Sequence, residues 1–190
     1  MGNATEILNP VKVTAFNEQF LLDVIEGLSS SPKRIASKYF YDTRGSELFE
    51  EITRQPEYYP TLTELSIMKE SSPVIAKLLG SECLLIEYGS GSSLKTRLLL
   101  RELEKPAGYV PVEISEEFLM EISDDLKEEF PHLPVQPVAA DFTGDFSLPQ
   151  TVRNVRRKVV YFPGSTIGNF TPDQAAEILD NIAGLVGRGG

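Results

Sequence analysis

From Gly80 onward the chain alternates short apolar runs with amphipathic stretches, and no other feature constrains its fold as tightly. Leu84 to Glu87 reads as a strand and Lys95 to Leu103 as a helix. Tyr109 to Glu113 is a second strand, followed by a helix that Ser115 caps and that carries Phe118, Leu119, Ile122 and Leu126. Val135 to Val138 and Val159 to Phe162 are the third and fourth strands. Thr171 and Pro172 start a last helix with Ala175, Ile178, Leu179, Ile182 and Leu185. Strands separated by helices imply a parallel sheet, because each parallel crossover needs a helix-length connection. The expected class is α/β: a Rossmann-like parallel sheet with helices on both faces. Ligands of such sheets bind beyond the carboxyl ends of the strands.

The region 1–80 reads as helical and precedes a partial Rossmann-like domain over 81–190. Phe16, Phe20, Leu21, Val24, Ile25 and Leu28 fall on one helical face, and Ser29-Ser30-Ser31-Pro32 breaks the chain after them. Thr61 with Glu64 has the spacing of a capping box. Ser72-Pro73 marks a further helix start and Gly80 a stop. Gly187-Arg188-Gly189-Gly190 closes the last helix, with no fifth strand after it. Four strands leave an apolar edge open, so the sheet is expected to be incomplete at its carboxyl end. Self-association or a partner chain would complete it.

Charge and rare residues exclude several functions. A net charge of −10 does not suit a protein that tracks a nucleic-acid backbone. The cluster Arg153, Arg156, Arg157 and Lys158 reads as a solvated loop before a strand. One cysteine, Cys83, makes no internal disulfide and suits a reducing cytoplasm. With one histidine, His132, it does not make a zinc site, and no metal is expected. No apolar run approaches the roughly 20 residues of a membrane helix, and Met1 to Glu6 lacks the pattern of a secretory signal.

The chemistry-bearing run is Glu87-Tyr88-Gly89-Ser90-Gly91-Ser92-Ser93, directly after the first strand. Gly89 and Gly91 would let the backbone approach a ligand without a Cβ in the way. Glu87 can bind an ammonium group or order waters near it. Glu113 ends the second strand about 20 residues beyond the loop, where a carboxylate grips a ribose diol. Asp141-Phe142 follows the third strand, where a carboxylate can accept from an adenine amine and a ring can pack beside it. Alone, Asp141 is an ordinary turn residue and Phe142 an ordinary core residue; their value lies in the succession of strand ends. Two rival nucleotide loops fit less well. Dinucleotide binding wants a glycine where Leu94 stands, and a phosphate loop over Gly89 to Thr96 lacks its second glycine at the same place.

Three stretches resemble the histidine-specific S-adenosylmethionine-dependent methyltransferases, which make hercynine for ergothioneine biosynthesis. They are Tyr39-Phe40-Tyr41-Asp42-Thr43-Arg44-Gly45-Ser46-Glu47-Leu48-Phe49 through Pro56-Glu57-Tyr58-Tyr59-Pro60-Thr61, then Glu87 through Thr96, then Gly164-Ser165-Thr166-Ile167-Gly168-Asn169. The resemblance implies S-adenosylmethionine as cofactor, with Tyr58, Gly89, Lys95, Glu113, Asp141 and Phe142 at cofactor positions. Glu113 stands where the family usually has Asp. The resemblance places Tyr41 and Asn169 on the substrate side, with Asn169 holding the amino-acid backbone and Tyr41 near the α-amine. The implied reaction is N-methylation of histidine or a related small amino acid, without nucleic acid or membrane as partner. Family members are longer than 190 residues, and their later segments supply the side-chain pocket. The alternative is therefore a non-catalytic cofactor-binding fragment or subunit that needs a further carboxyl-terminal half.

Overall fold

The computed structural model describes residues 15–150 and 154–190. Arg153 and the opening residues Met1 to Glu6 lie outside them. The chain forms two compact units, Met1–Phe40 and Tyr41–Gly190. In the first unit, α1 (Ala15–Ser29) is followed by a 3-10 turn over Ser37–Phe40. There the Tyr39 hydroxyl donates to Asp23 at 2.5 Å while its ring packs on Phe20 at 4.6 Å.

The second unit runs α2 (Thr43–Thr53), α3 (Tyr59–Leu79), β1 (Cys83–Tyr88), α4 (Leu94–Glu102), β2 (Gly108–Glu113), α5 (Glu116–Glu129), β3 (Val138–Ala139), β4 (Arg157–Tyr161) and α6 (Pro172–Val186). The strands form one parallel sheet in the order β3-β2-β1-β4. Every residue of β1 and β2 is buried. Strands covered on both faces read as continuous apolar runs, which is why the pattern after Gly80 was legible.

Alternation along β1 separates two cores. Cys83 and Leu85 join Tyr109 of β2 with Met68 and Ala76 of α3, Leu99 of α4 and Leu126 of α5. Leu84, Ile86 and Tyr88 join Val110 and Val112 on the other side, against Ile182 and Leu185 of α6. Helices thus cover both faces, as expected. The parity also assigns Glu87 to the face of Leu85 and Tyr88 to that of Ile86, since successive strand side chains oppose.

Several local readings need correction. Residues 59–79 form a single helix, with Pro73 inside it rather than at a start. Proline removes one helical N–H, but Met68, Ser72 and Ala76 recur every fourth residue and bury one continuous face. Thr61 and Glu64 lie within this helix and form no capping box; the residue before its first turn is Tyr58. Ser115 stands at the start of α5 without a capping hydrogen bond from its side chain. The third strand is only Val138–Ala139, with Val135 in an isolated bridge to Tyr109. Pro134 and Pro137 flank that bridge and have no N–H to continue the ladder. The last strand ends at Tyr161, one residue before Phe162.

The start of α6 is as expected. The Thr171 hydroxyl accepts from the Gln174 amide at 3.4 Å, and Gln174 accepts from the Thr171 amide at 3.0 Å. Thr171→Ala should lower stability by about 1 kcal/mol, the usual worth of an N-cap, measured by urea denaturation. An unchanged midpoint would make the cap irrelevant to global unfolding.

Candidate active site

The turn after β1 carries the backbone geometry that its glycines predicted. Gly89 and Gly91 have φ of 67° and 48°, in the left-handed region where a side chain is strained. Ser93 shares that region at φ 52° and ends the turn before α4. The Gly89 amide donates to the Val112 carbonyl at 2.9 Å, which fastens the turn to the neighbouring strand. A Cβ built on Gly91 would meet nothing within 4 Å. The Ser90 hydroxyl is buried and has no hydrogen-bond partner among the described residues.

Glu113 closes the turn from β2. Its Oε2 accepts from the Gly91 amide at 3.1 Å and its Oε1 from the Ile114 amide at 2.9 Å. Burial pushes the Glu113 carboxyl above its ordinary value, opposed by the hydrogen bonds it accepts from the amides of Ile114, Gly91 and Ser115. A carboxylate has about four acceptor sites, so these amides leave it acceptor capacity for a ligand hydroxyl.

Glu87 has a different place from the one expected. It is 1% exposed, and its carboxyl lies between the sheet and α4. Its Oε1 accepts from the Thr96 hydroxyl at 2.6 Å and its Oε2 from the Tyr109 hydroxyl. Tyr109 also meets the Ser93 hydroxyl at 3.1 Å. Burial pushes the Glu87 carboxyl up to about 7, against the lowering effect of both hydroxyl bonds. Its acceptors serve the end of the turn and the start of α4. Thr96 and Tyr109 were not singled out from sequence; the parity of Leu85 and Glu87 was the signal available.

The aromatic residues fall into two groups. Phe142 stacks on Tyr88 with centroids 5.2 Å apart and meets Phe162 edge-on at 5.3 Å. Its ring lies 3.8 Å from a Cβ built on Gly89, so it borders the glycine turn. Asp141 accepts from the Thr143 amide at 2.9 Å and hydroxyl at 2.5 Å, which fixes the bend that presents Phe142. In the other group, Phe49 of α2 meets Tyr41 and Tyr58 edge-on, each at 5.9 Å. Burial raises the Tyr41 phenol, and the charge of Glu113 adds to the rise after that of Tyr58. Tyr41 therefore stays protonated near neutrality.

Lys95, the second residue of α4, donates to Glu64 Oε2 of α3 at 2.8 Å. The Gly164 amide, on the segment after β4, donates to the other oxygen of Glu64 at 2.9 Å. That segment ends in a 3-10 turn over Thr166–Asn169, where Asn169 is exposed. Its neighbour Phe170 meets Phe142 at 6.2 Å. Gly89, Gly91, Lys95, Glu113, Phe142, Tyr41, Tyr58 and Asn169 thus lie on elements that follow the strand ends or border them. Glu64 and Phe49 join them; the sequence marked Glu64 only within a capping-box spacing and Phe49 only within the first resembling stretch. No group of metal-ligating side chains occurs among the described residues.

The sequence profile of a family described as histidine-specific, S-adenosylmethionine-dependent methyltransferases matches residues 20–190. The chain is 40% identical over 164 residues to the histidine N-alpha-methyltransferase of Mycolicibacterium smegmatis, covering 85% of this chain and 50% of that protein. It is 39% identical to the Mycobacterium tuberculosis enzyme of the same name, covering 88% and 52%. Similarity extends to the 4-dimethylallyltryptophan N-methyltransferase of Claviceps purpurea, 30% identical over 84% of this chain and 48% of that one. The chain spans about half the length of these curated relatives. Among solved structures, the plantazolicin methyltransferase in complex with SAH superposes with a TM-score of 0.50 at 15% identity, over 89% of this chain and 57% of that one. That likeness concerns the fold.

Proposed function

This chain belongs to the histidine-specific, S-adenosylmethionine-dependent methyltransferase family, and on that premise we propose that it methylates the α-amine of histidine or a related small amino acid. The observation that carries the cofactor part is the closure of the turn by Glu113. One carboxylate fixes the Gly91 amide and keeps acceptor capacity at the end of β2. The open approach over Gly91 and the unpartnered Ser90 hydroxyl fit a polar ligand lying along this turn.

S-adenosylmethionine, when bound, supplies an electrophilic methyl on a sulfonium, which is already a good leaving group. What remains for the protein is alignment and exclusion of water. In this reading Glu113 takes the ribose hydroxyls, Asp141 and Phe142 take the adenine, and Gly89, Gly91 and Lys95 take the amino-acid end. Glu87 holds the turn from behind. Tyr58 borders the same space through Phe49. Asn169 holds the substrate's amino-acid backbone with its amide, and the protonated Tyr41 orients the amine lone pair. Tyr41 is a poor base because burial favours its neutral phenol. The amine proton therefore leaves to solvent.

A cytoplasmic location accords with the free, buried Cys83. Among the described residues no helix is long and apolar enough to cross a membrane. The edge of β4, which pairs only with β1 among the described residues, offers a place for a second copy or partner chain.

The test is calorimetric titration with S-adenosylhomocysteine, alone and with histidine or tryptophan present. Tighter binding with histidine is the expected result. Tightening by tryptophan alone would move the substrate toward indole amines. Binding indifferent to both would reduce the chain to a cofactor-binding fragment. Absence of binding by a folded chain would sink the cofactor assignment.

A further inference from the structure

We propose that Glu64 is a positioning residue that holds the cofactor side and the substrate side of this site in one arrangement. The names of the two sides rest on the function proposed above; the clamp itself rests on geometry. Glu64 lies 31 residues from Lys95 and 100 from Gly164 along the chain, yet bonds both. Its two oxygens are divided: Oε2 takes the Lys95 ammonium at 2.8 Å, and Oε1 takes the Gly164 amide at 2.9 Å. Lys95 belongs to the first turn of α4, next to the glycine turn. Gly164 begins the segment that reaches Asn169.

An ordinary exposed ion pair contributes little. This one differs in two respects. The Lys95 and Glu64 side chains are only 22% and 29% exposed. A backbone N–H also depends on the same carboxylate, so displacing Glu64 releases two elements together. Gly164 adds a steric reason for the arrangement. Its φ is +79°, and a Cβ there would stand 3.3 Å from Lys95 Nζ. The absence of a side chain lets the ammonium and the segment backbone approach the carboxylate from adjacent directions. Any ligand group that attracts Lys95 redistributes the charge facing Glu64 and thereby loads the Gly164 hydrogen bond. Occupancy on the Lys95 side is in this way linked to the segment that ends at Asn169.

The test has two readouts. The first is amide hydrogen exchange at Gly164 in the ligand-free chain. Glu64→Ala should accelerate it about tenfold or more, because the N–H loses its acceptor. Glu64→Gln keeps a carbonyl acceptor and should restore protection to within about threefold. The second is a double-mutant cycle on S-adenosylhomocysteine affinity. Glu64→Gln alone should weaken binding about tenfold, as loss of a charged hydrogen bond does, and have almost no further effect in a Lys95→Met background. A residue that merely stabilises the fold would give additive effects. Unchanged Gly164 exchange in a folded Glu64→Ala chain overturns the proposal, as does an additive cycle. If Glu64→Ala does not fold, the cycle with Glu64→Gln decides. If the unmutated chain is folded and binds no S-adenosylhomocysteine, the functional reading fails, and the exchange measurement still decides the clamp.

Discussion

Glu113→Gln should weaken S-adenosylhomocysteine binding about 100-fold, through the loss of about 3 kcal/mol of charge-assisted hydrogen bonding. Each oxygen of Glu113 already accepts one backbone amide, from Gly91 and Ile114. A glutamine has one carbonyl oxygen, and its NH2 group would face one of those N–H donors. The variant therefore loses acceptors for the ribose and opposes one of the bonds that shape the turn. Glu113→Asp keeps the charge but withdraws it by one methylene. It should retain affinity to within about tenfold, since the charge-assisted bonds survive with poorer geometry. Calorimetry on the three chains, with thermal unfolding as a control for folding, separates these cases. Affinity unchanged in Glu113→Gln would remove Glu113 from the cofactor site.

The second large effect concerns stability and pH. Glu87 is fully buried, and its carboxyl is pushed up to about 7 in the folded chain. In the unfolded chain it returns to the ordinary value near 4.5. The folded state then holds more protons than the unfolded state between these two values. The contribution of Glu87 is fully present below about pH 4.5 and is lost as pH rises through about 7. Over that window the loss is about 3 kcal/mol, the product of the shift and about 1.4 kcal/mol per pH unit. Glu87→Gln has no such titration and keeps hydrogen-bonding atoms for Thr96 and Tyr109. Denaturant unfolding of both chains at pH 5 and pH 8 isolates the effect. The variant should gain stability relative to the unmutated chain as pH rises. Two parallel pH profiles would show that Glu87 ionises as readily in the fold as outside it.

The contrast between these two glutamates shows what the sequence could carry. Read from the sequence, both end a strand, and both were assigned to the ligand from that position. Glu113 stands at the last residue of β2, with amides of the turn before it. Glu87 stands one residue before the end of β1, still between two strands and beneath α4. Its neighbours Thr96 and Tyr109 lie nine and 22 residues away. Only packing of helix on sheet brings those hydroxyls to it. The parity that Leu85 shares with Glu87 was visible in the sequence, and it favoured the buried side.

A similar limit applied to α3. Thr61-Glu64 and Ser72-Pro73 are start signals in local terms, because each offers a way to satisfy free amides. The buried series Met68, Ser72 and Ala76 outweighs them, since a continuous face against the core tolerates one missing N–H. Freed from a capping role, Glu64 reaches Lys95 and Gly164.

By itself the sequence determined the parallel α/β class, the glycine turn and its place after the first strand, and the carboxylate at the end of the second. These follow from periodicity and from φ values that favour glycine, both local properties of the chain. The tertiary structure decided which acidic side chains face the open side and which face the core. It also decided how Glu64 joins α3, α4 and the segment after β4, and how Phe49 groups Tyr41 with Tyr58. Such contacts join residues far apart in sequence, and their partners are chosen by the packing of whole elements, which no local pattern encodes.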